Sequence, residues 1–411
     1  MQGWGLRTKE TKASTMSLTP DSIVISAAVR TPMGSFNGSL ANASAHDLGG
    51  VAIKEAMHRT GIAPALVQEV LMGNCLMAGQ GQAPARQAAY KGGLPDSAGA
   101  VTLSKMCGSG MKAAMFAHDM LKAGSCDVMV AGGMESMTNA PYLLLKARNG
   151  YRIGADKIFY HMMLDGLEDA YKPGQAMGVF GEQCAQKYGF TREQQDAFAT
   201  ESVIRAQRAV ASGAFDAEIA PVTISGRAGD VVVDKDEAPG KVKLEKIASL
   251  KPAFAKDGTV TAASSSSISD GASALVLMRA ETAEKLGNKP LARLVAHATH
   301  SHQPEWFTTA PIGAAQKVLV KAGWRKEDVD LWEVNEAFAV VTMAFMQEMG
   351  VAHDIVNVNG GACALGHPVG ATGARIMTTL IYALKARGLK RGVAALCIGG
   401  GEATAVAIEL I

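Results

Sequence analysis

The sequence predicts an α/β protein built from two similar halves, with a more polar segment inserted between them. Short apolar runs, such as residues 22–28 and 128–131, are typical of buried strands. They alternate with amphipathic stretches, such as residues 45–59, that are typical of helices. Between residues 140 and 263 charged residues are denser and the apolar pattern is less regular. This middle third is therefore interpreted as an insertion between two α/β halves.

Composition and charge narrow the class of protein. The chain has 411 residues, of which 48% are apolar and 19% charged, which describes a compact soluble protein of two or three domains. Forty basic residues against 38 acidic ones leave a formal charge of +2, too little to attract nucleic acid or a membrane surface. No apolar stretch approaches the roughly 20 residues of a bilayer span. We therefore expect neither nucleic acid nor a membrane as a partner.

The cysteines and the N-terminus favour a reducing, cytoplasmic location. Six cysteines are scattered along the chain without a CxxC pair or a metal-ligand spacing, so we expect free thiols and no bound metal. Residues 1–18 lack the apolar core of a signal peptide, and we predict a flexible extension or an upstream start there.

Each half places a reactive residue before a helix, and then a strand that ends in glycine. In the first half, Cys107 precedes a helical pattern over residues 111–123, and a strand ends at Gly132-Gly133. In the second half, His367 precedes a helical pattern over residues 373–387, and a strand ends at Gly399. Two copies related by a pseudo-twofold axis would bring both helix starts to one crevice. Chance similarity between two buried strand–helix units is the alternative.

Cys107 is the candidate nucleophile. A thiol at a helix N-terminus meets the positive end of the helix dipole and free backbone N–H groups, and both are expected to lower its pKa. The glycines around it let a substrate approach the sulfur and let amides stabilise an oxyanion. The alternative is a buried and inert thiol, the commoner role of a free cysteine.

Three further residues could supply acid–base or hydrogen-bonding groups. His367, in a glycine-rich tract, could accept a proton from a thiol or could cap a helix. Cys397 ends a strand, where α/β sheets border their ligand crevice, and could act as acid or base beside the Gly399 amide, or could be structural. Asn335 could hold a water or a carbonyl, or could cap the helix that follows.

Taken together, seven blocks of sequence resemble the thiolase family, and most closely its biosynthetic acetoacetyl-CoA members. In chain order the blocks are VRTPMGSFNGSL, GQAPARQAA, SKMCGSGMKA, VMVAGGMESM, NEAF, VNGGACALGHPVGATGARI and CIGGG. The resemblance implies a five-layer αβαβα fold of duplicated α/β halves. It implies an N-terminal half over residues 19–139, a CoA-binding loop domain over 140–267 and a C-terminal half over 268–411.

The same resemblance implies acetyl-CoA C-acetyltransferase chemistry, with acyl-CoA and CoA as substrates and no cofactor. Cys107 would carry the acyl group, and His367 would activate it and, with a water held by Asn335, form one oxyanion hole. Cys397 would exchange the proton at the α-carbon. The amides of Cys107 and Gly399 would form the second oxyanion hole.

The family pattern also implies which residues hold the substrate. Ser266 would contact the pantetheine arm, Arg227 would lie near the nucleotide, Met177 and Phe254 would line the tunnel, and Phe338 and Ala339 would border the acyl pocket. Two positions depart from the pattern: Ala176 stands where the family usually has histidine, and Ser264 where it typically has asparagine. Both lie in the acyl and pantetheine region, so the preferred acyl group stays open.

Two other functions are considered. A degradative 3-ketoacyl-CoA thiolase of fatty-acid β-oxidation is favoured by Ala176. A non-catalytic acyl or lipid carrier of the same fold is disfavoured, because the core residues are intact. Family members are dimers or tetramers, and residues 142–167 lie where tetramers form their contacts. We therefore expect a homo-oligomer, with a tetramer favoured over a dimer.

Overall fold

The structure, a computed structural model, describes residues 18–227 and 229–411. The predicted N-terminal extension therefore lies, except for Leu18, outside the described residues. The strands are β1 (Ile23–Arg30), β2 (Gly34–Ser35), β3 (Glu69–Gly73), β4 (Gly99–Leu103), β5 (Val128–Ser136), β6 (Tyr142–Leu143), β7 (Phe159–Tyr160), β8 (Val222–Ile224), β9 (Val231–Val233), β10 (Ser269–Arg279), β11 (Ala292–Ser301), β12 (Leu331–Val334), β13 (Arg391–Ile398) and β14 (Glu402–Leu410). The α-helices are α1 (Ala45–Thr60), α2 (Pro84–Lys91), α3 (Ser109–Lys122), α4 (Gly178–Tyr188), α5 (Arg192–Ala211), α6 (Ala280–Lys285), α7 (Ala310–Ala322), α8 (Ala339–Met349), α9 (Ala362–Leu365) and α10 (Thr372–Arg387). None of these helices is long and apolar enough to cross a bilayer.

One large sheet carries the duplication predicted from the sequence. Its strands run in the order β4-β3-β5-β10-β1 and continue as β11-β14-β13-β12, with β1 antiparallel to β11 at the join. Outward from the join, each half shows two antiparallel pairs and then a parallel pair. In the first half, β4 is the outermost strand and pairs in parallel with β3. In the second half, the equivalent place beside β12 is taken by Val356, which forms a parallel bridge with Trp332. The two halves therefore share one topology, which chance similarity does not explain.

Helices and strands stack in five layers, as predicted. Helices α1 and α2 cover the outer face of the N-terminal strands, α3 and α10 lie between the two halves of the sheet, and α7 and α8 cover the outer face of the C-terminal strands. Strand β1 shows how the sequence achieves this. Because successive side chains point to opposite faces, Val24 enters the outer core and Ile25 the middle one. Such strands are buried on both faces, which explains their continuous apolar runs.

The described residues between 140 and 267 add no strand to the large sheet. They form two hairpins, β6–β7 and β8–β9, together with α4 and α5. Helix α4 packs against α8, and α5 packs against α9. This segment therefore covers one end of the C-terminal half, while the domain boundaries given above stay a prediction.

Helices α3 and α10 contact each other closely at their N-terminal ends. A methyl group added to Gly110 would lie 2.9 Å from the Ala374 nitrogen, and one added to Gly373 would collide with the backbone of Met111. Because glycine has no Cβ, the two helix backbones can meet directly at this point. The segments that precede these two helix starts carry the candidate residues Cys107 and His367.

Candidate active site

Cys107 lies in the turn between β4 and α3, and side-chain hydrogen bonds fix that turn. The Ser109 hydroxyl donates to the Met106 carbonyl oxygen at 2.6 Å and accepts from the Lys105 amide at 2.8 Å. Met106 has a φ of 47°, which side chains rarely adopt and which occurs often at functional sites. Cys107 as a whole residue is partly exposed, whereas the other five cysteines are buried.

Burial raises the pKa of the Cys107 thiol to about 11, and hydrogen bonds from the amides of Gly399 and of Cys107 itself oppose that shift. The backbone amides therefore act in the predicted direction, but the low pKa expected from them is not reached in the free protein. Loss of solvation destabilises the thiolate more than the amides stabilise it. The thiol is protonated at neutral pH, so it needs a base to become a nucleophile.

Cys397 and Gly399 come from the end of β13, next to the turn that holds Cys107. Cys397 is fully buried, and burial raises the pKa of its thiol far above the usual range, with a further electrostatic contribution from Cys107. A methyl group on Gly108 would collide with the Ile398 side chain, so the strand end and the turn pack directly. The structure thus brings together both predicted cysteines and the Gly399 amide.

His367 presents a buried ring nitrogen, Nε2, without a hydrogen-bond partner among the described residues. Its Nδ1 lies 2.5 Å from the Thr372 hydroxyl, and this hydroxyl donates to the Pro368 carbonyl oxygen at 3.0 Å. With the hydroxyl donating to Pro368, Nδ1 is the nitrogen that carries the proton, and the hydroxyl oxygen accepts it. Burial, followed by the charge of Arg375, lowers the pKa of His367 to about 3, so Nε2 is free to accept a proton. The helix-cap alternative fails, because the N-cap of α10 is Ala371.

Asn335 directly follows β12, and neither polar atom of its buried side chain has a partner in the described part of the chain. The cap alternative fails here too, because α8 has Phe338 at its N-cap without a side-chain hydrogen bond. The adjacent Glu336 carboxylate accepts from Ser202 at 2.7 Å and from Asn357 at 2.8 Å, which fixes the segment. A buried amide without partners is unfavourable by about 1–3 kcal/mol unless a water or a ligand supplies them.

A narrow, mainly apolar cavity of about 250 Å³ reaches His367. It is lined by Met137, Met163, Leu167, Ala176, Met177, Gly178, Phe254, Ser265, Ser266, Ser267, Ile268, Ala337, Phe338, His367 and Val369. The cavity therefore gathers the predicted residues Met177, Phe254, Ser266 and Phe338. Two of its lining residues, Met137 and Val369, belong to the apolar cluster against which Cys107 packs, so Cys107 lies next to the wall of the cavity.

Two predicted binding residues lie outside this cavity. Arg227 is exposed between β8 and β9, and its contact with a nucleotide stays a prediction. Ala339 is fully buried at the start of α8, where its amide donates to the Ser264 carbonyl oxygen at 2.8 Å. Its neighbours Ala337 and Phe338 line the cavity in its place.

A second cavity of about 480 Å³ adjoins the first at Ser267, which lines both. Its wall includes Lys241, Lys243 and Lys246, whose ammonium groups suit phosphate oxygens. Sequence reasoning missed these lysines, because a few charges in a polar segment usually mark a solvated surface.

Glu135 is a further site residue that sequence reasoning did not assign. Its buried carboxylate accepts hydrogen bonds from the Asn74 side chain at 2.6 Å and from the amides of Cys75, Leu76 and Gly370 at 2.9, 3.1 and 2.9 Å. Burial raises the pKa of Glu135 to about 7, and the donated bonds oppose that shift. Glu135 thus anchors the segment that carries His367. The sequence feature that could have identified Glu135 is its position shortly after Gly132-Gly133, at the end of a predicted strand.

Comparison with known protein families gives matches over almost the whole chain. Residues 23–281 match the family model described as thiolase, N-terminal domain, and residues 288–410 match the model described as thiolase, C-terminal domain. Acetyl-CoA acetyltransferase 2 of Arabidopsis thaliana is 48% identical over 96% of this chain and 98% of its own length. Acetyl-CoA acetyltransferase of Cupriavidus necator is 47% identical over 94% and 99%.

Solved structures are similar over the same extent. The Bacillus anthracis acetyl-CoA acetyltransferase has a TM-score of 0.93 at 42% identity, covering 96% of this chain and 100% of its own. The Acat5 thiolase from Ascaris suum, solved in complex with coenzyme A, has a TM-score of 0.89 at 41% identity, covering 95% and 100%.

Proposed function

The chain belongs to the thiolase family, and from that premise we propose that it is an acetyl-CoA C-acetyltransferase. It condenses two acetyl-CoA molecules to acetoacetyl-CoA and CoA, or runs the reverse thiolysis. The observation that carries this assignment is the grouping of the Cys107 thiol, the unprotonated Nε2 of His367 and the Gly399 amide beside one apolar cavity. Relatives that are 46–48% identical over nearly their full length bear the same activity in their names.

In the first half-reaction Cys107 becomes acylated. Its thiol proton passes to Nε2 of His367 as the sulfur attacks the acetyl-CoA carbonyl, and the oxyanion is met by fixed hydrogen-bond donors. The carbon–sulfur bond to CoA then breaks, and His367 returns the proton to the departing CoA thiolate. Because the pKa of the Cys107 thiol is raised, the thiol is protonated before the reaction. The proton therefore leaves as the sulfur attacks, and no thiolate has to form in the free enzyme.

In the second half-reaction Cys397 acts on the α-carbon of a second acetyl-CoA. With its own proton held on His367, the Cys397 thiolate removes the α-proton. The enolate carbon then attacks the acetyl carbonyl on Cys107, the carbon–sulfur bond breaks, and the released Cys107 thiolate takes back the proton from His367. A water held by Asn335 and the amides of Cys107 and Gly399 stabilise the oxyanions. This sequence balances without a metal or an organic redox cofactor.

The two adjoining cavities suit the two ends of coenzyme A. The apolar cavity, with the Ser266 region as its polar contact, suits the pantetheine arm, and the cavity lined by Lys241, Lys243 and Lys246 suits the phosphates. The coenzyme A complex of the Ascaris suum relative supports this class of ligand.

Intact-mass analysis after mixing the protein with acetyl-CoA tests the assignment. We expect one added acetyl group, mapped to Cys107, and CoA-dependent loss of acetoacetyl-CoA absorbance. The matched variant Cys107→Ser should give neither result. An adduct on Cys126 or Cys184, or no CoA-dependent turnover, would rule the proposal out.

A degradative 3-ketoacyl-CoA thiolase is the second candidate, because Ala176 lines the apolar cavity at the position where the family usually has histidine. Rates with acetoacetyl-CoA and with longer or branched 3-ketoacyl-CoAs separate the two functions. Ala176→His is the matched variant. If it lowers turnover of the long substrates while keeping that of acetoacetyl-CoA, Ala176 is what admits the longer chains.

We propose a cytoplasmic homo-oligomer, with a tetramer favoured over a dimer. Free cysteines, scattered along the sequence without a CxxC pair, support a reducing compartment. Several apolar side chains that are exposed in the segment 142–167 support assembly: Tyr142, Leu144, Leu145, Ile153 and Ile158.

A further inference from the structure

A cluster of two histidines and one aspartate lies between helix α3 and strand β11. His118 and Asp119 are near the end of α3, and His297 lies on β11, 178 residues from Asp119 along the chain. The three ligand-type atoms are all within 4.8 Å of one another. The fold therefore builds this group from both halves of the molecule. It has no role in the chemistry proposed above.

The geometry of the cluster is close to that of a coordination sphere. Oδ1 of Asp119 lies 3.0 Å from Nδ1 of His118 and 2.8 Å from Nε2 of His297. The two imidazole rings stand edge to face, 4.9 Å apart and at 84°. Zinc–ligand bonds of about 2.0–2.2 Å at tetrahedral angles place neighbouring ligand atoms roughly 3.3 Å apart. Small side-chain rotations would let all three atoms face one ion.

We propose that His118, Asp119 and His297 form a binding site for a first-row divalent cation, with Zn²⁺ as the best match, that fastens helix α3 to strand β11. Two imidazoles and one carboxylate are the ligands that Zn²⁺ prefers when no thiolate is present. Both imidazoles are 13% exposed and the carboxylate 57%. The imidazoles are thus largely enclosed by the protein and the carboxylate faces solvent, which leaves room for water as a fourth ligand.

Three lysines near the cluster oppose the binding of a cation. Lys112 and Lys122 act electrostatically on this cluster, and Lys321 donates to the His297 carbonyl oxygen at 3.1 Å. Their positive charges should keep the affinity moderate.

The site is separate from the proposed catalytic centre. His118 lies nine residues after the start of α3, or roughly 14 Å along the helix axis at 1.5 Å per residue. A metal ion at this position would tie the helix that follows Cys107 to the C-terminal half of the sheet. We therefore expect stabilisation of the folded protein, without a requirement for metal in acetyl transfer.

Metal titration of the chelator-treated full-length protein tests the site. We expect one Zn²⁺ per chain, a rise of several degrees in the unfolding temperature, and an absorption band with Co²⁺ as a spectroscopic probe. His297→Gln and His118→Gln should weaken binding at least tenfold and abolish the temperature shift. His58→Gln, which alters an exposed histidine on α1, should behave like the unchanged protein.

The active-site thiols are the main competing ligands for Zn²⁺. If His297→Gln and His118→Gln keep the full stoichiometry, the Co²⁺ band and the temperature shift, the ion binds elsewhere and the proposal is overturned. Should a histidine variant fail to fold, Asp119→Asn provides the same comparison, because it removes the carboxylate from an exposed position. Acetyl transfer assayed with and without Zn²⁺ distinguishes a stabilising ion from an inhibitory one at Cys107.

Discussion

At the residue scale, the partial exposure and the raised pKa of Cys107 lead to a prediction about alkylation. Iodoacetamide should label Cys107 first, because the other five cysteines are buried. Between about pH 7 and 10 the rate should rise about tenfold per pH unit, because the reactive thiolate fraction grows by that factor below a pKa of about 11. Peptide mapping after timed alkylation measures this rate. A plateau near neutral pH would show a stable thiolate in the free protein and contradict the prediction.

The hydroxyl of Thr372 determines which nitrogen of His367 carries the proton. Thr372→Val keeps the shape of the side chain but leaves Nδ1 without its acceptor, so we expect a loss in kcat of roughly tenfold to hundredfold, equivalent to about 1–3 kcal/mol. Thr372→Ser retains the hydroxyl and should recover most of the activity. Steady-state kinetics of both variants check this. Equal activity in the two would mean that Thr372 only fills space.

At the element scale, the contact between α3 and α10 positions the reactive groups. Gly373→Ala would push the two helix starts apart, since the added methyl collides with the Met111 backbone. We expect about 1–3 kcal/mol lower stability and slower acylation of Cys107, measured by denaturant unfolding and by single-turnover mass analysis. Gly240→Ala is the control, because a methyl there meets no atom within 4 Å. Normal acylation in Gly373→Ala would show that the spacing of the helices is not critical.

The Glu135 carboxylate, at the end of β5, holds the segment 74–76 and the segment around Gly370. Each of its two oxygens accepts two hydrogen bonds. Glu135→Gln would turn one oxygen into an NH₂ group that faces two donors. We expect about 1–3 kcal/mol of destabilisation, together with lower kcat, because the Gly370 segment also holds His367. Thermal unfolding and kinetics measure both effects. Glu69→Gln is the control, because Glu69 is a partly buried carboxylate on β3. It should change neither the unfolding temperature nor kcat to the same extent.

At the scale of the whole molecule, the exposed apolar side chains of residues 142–167 predict how copies assemble. Leu145→Asp should reduce the mass of the particle in light scattering, because a charge in an apolar contact is costly to desolvate. Val320→Asp, at an exposed position on α7, should leave the mass unchanged. An unaltered mass in Leu145→Asp would place the contacts between copies elsewhere.

The sequence by itself determined the class of fold and the chemistry. Buried strands, helix starts and glycines at strand ends are local sequence patterns. The duplicated α/β halves and the candidates Cys107, His367, Cys397 and Asn335 could therefore be predicted without coordinates. The repeat was detectable because each copy keeps the same order of strand, helix and glycine. That order reflects one topology used twice in the large sheet.

Only the tertiary structure decided the properties that depend on distant parts of the chain. The pKa of Cys107 depends on burial by both halves, and desolvation there outweighs the helix start that the local sequence suggests. The lining of the apolar cavity, the anchoring by Glu135 and the cluster of His118 with His297 each join residues far apart in sequence. Local patterns carry no record of such contacts, because they arise only when the sheet and its helices close around a common core.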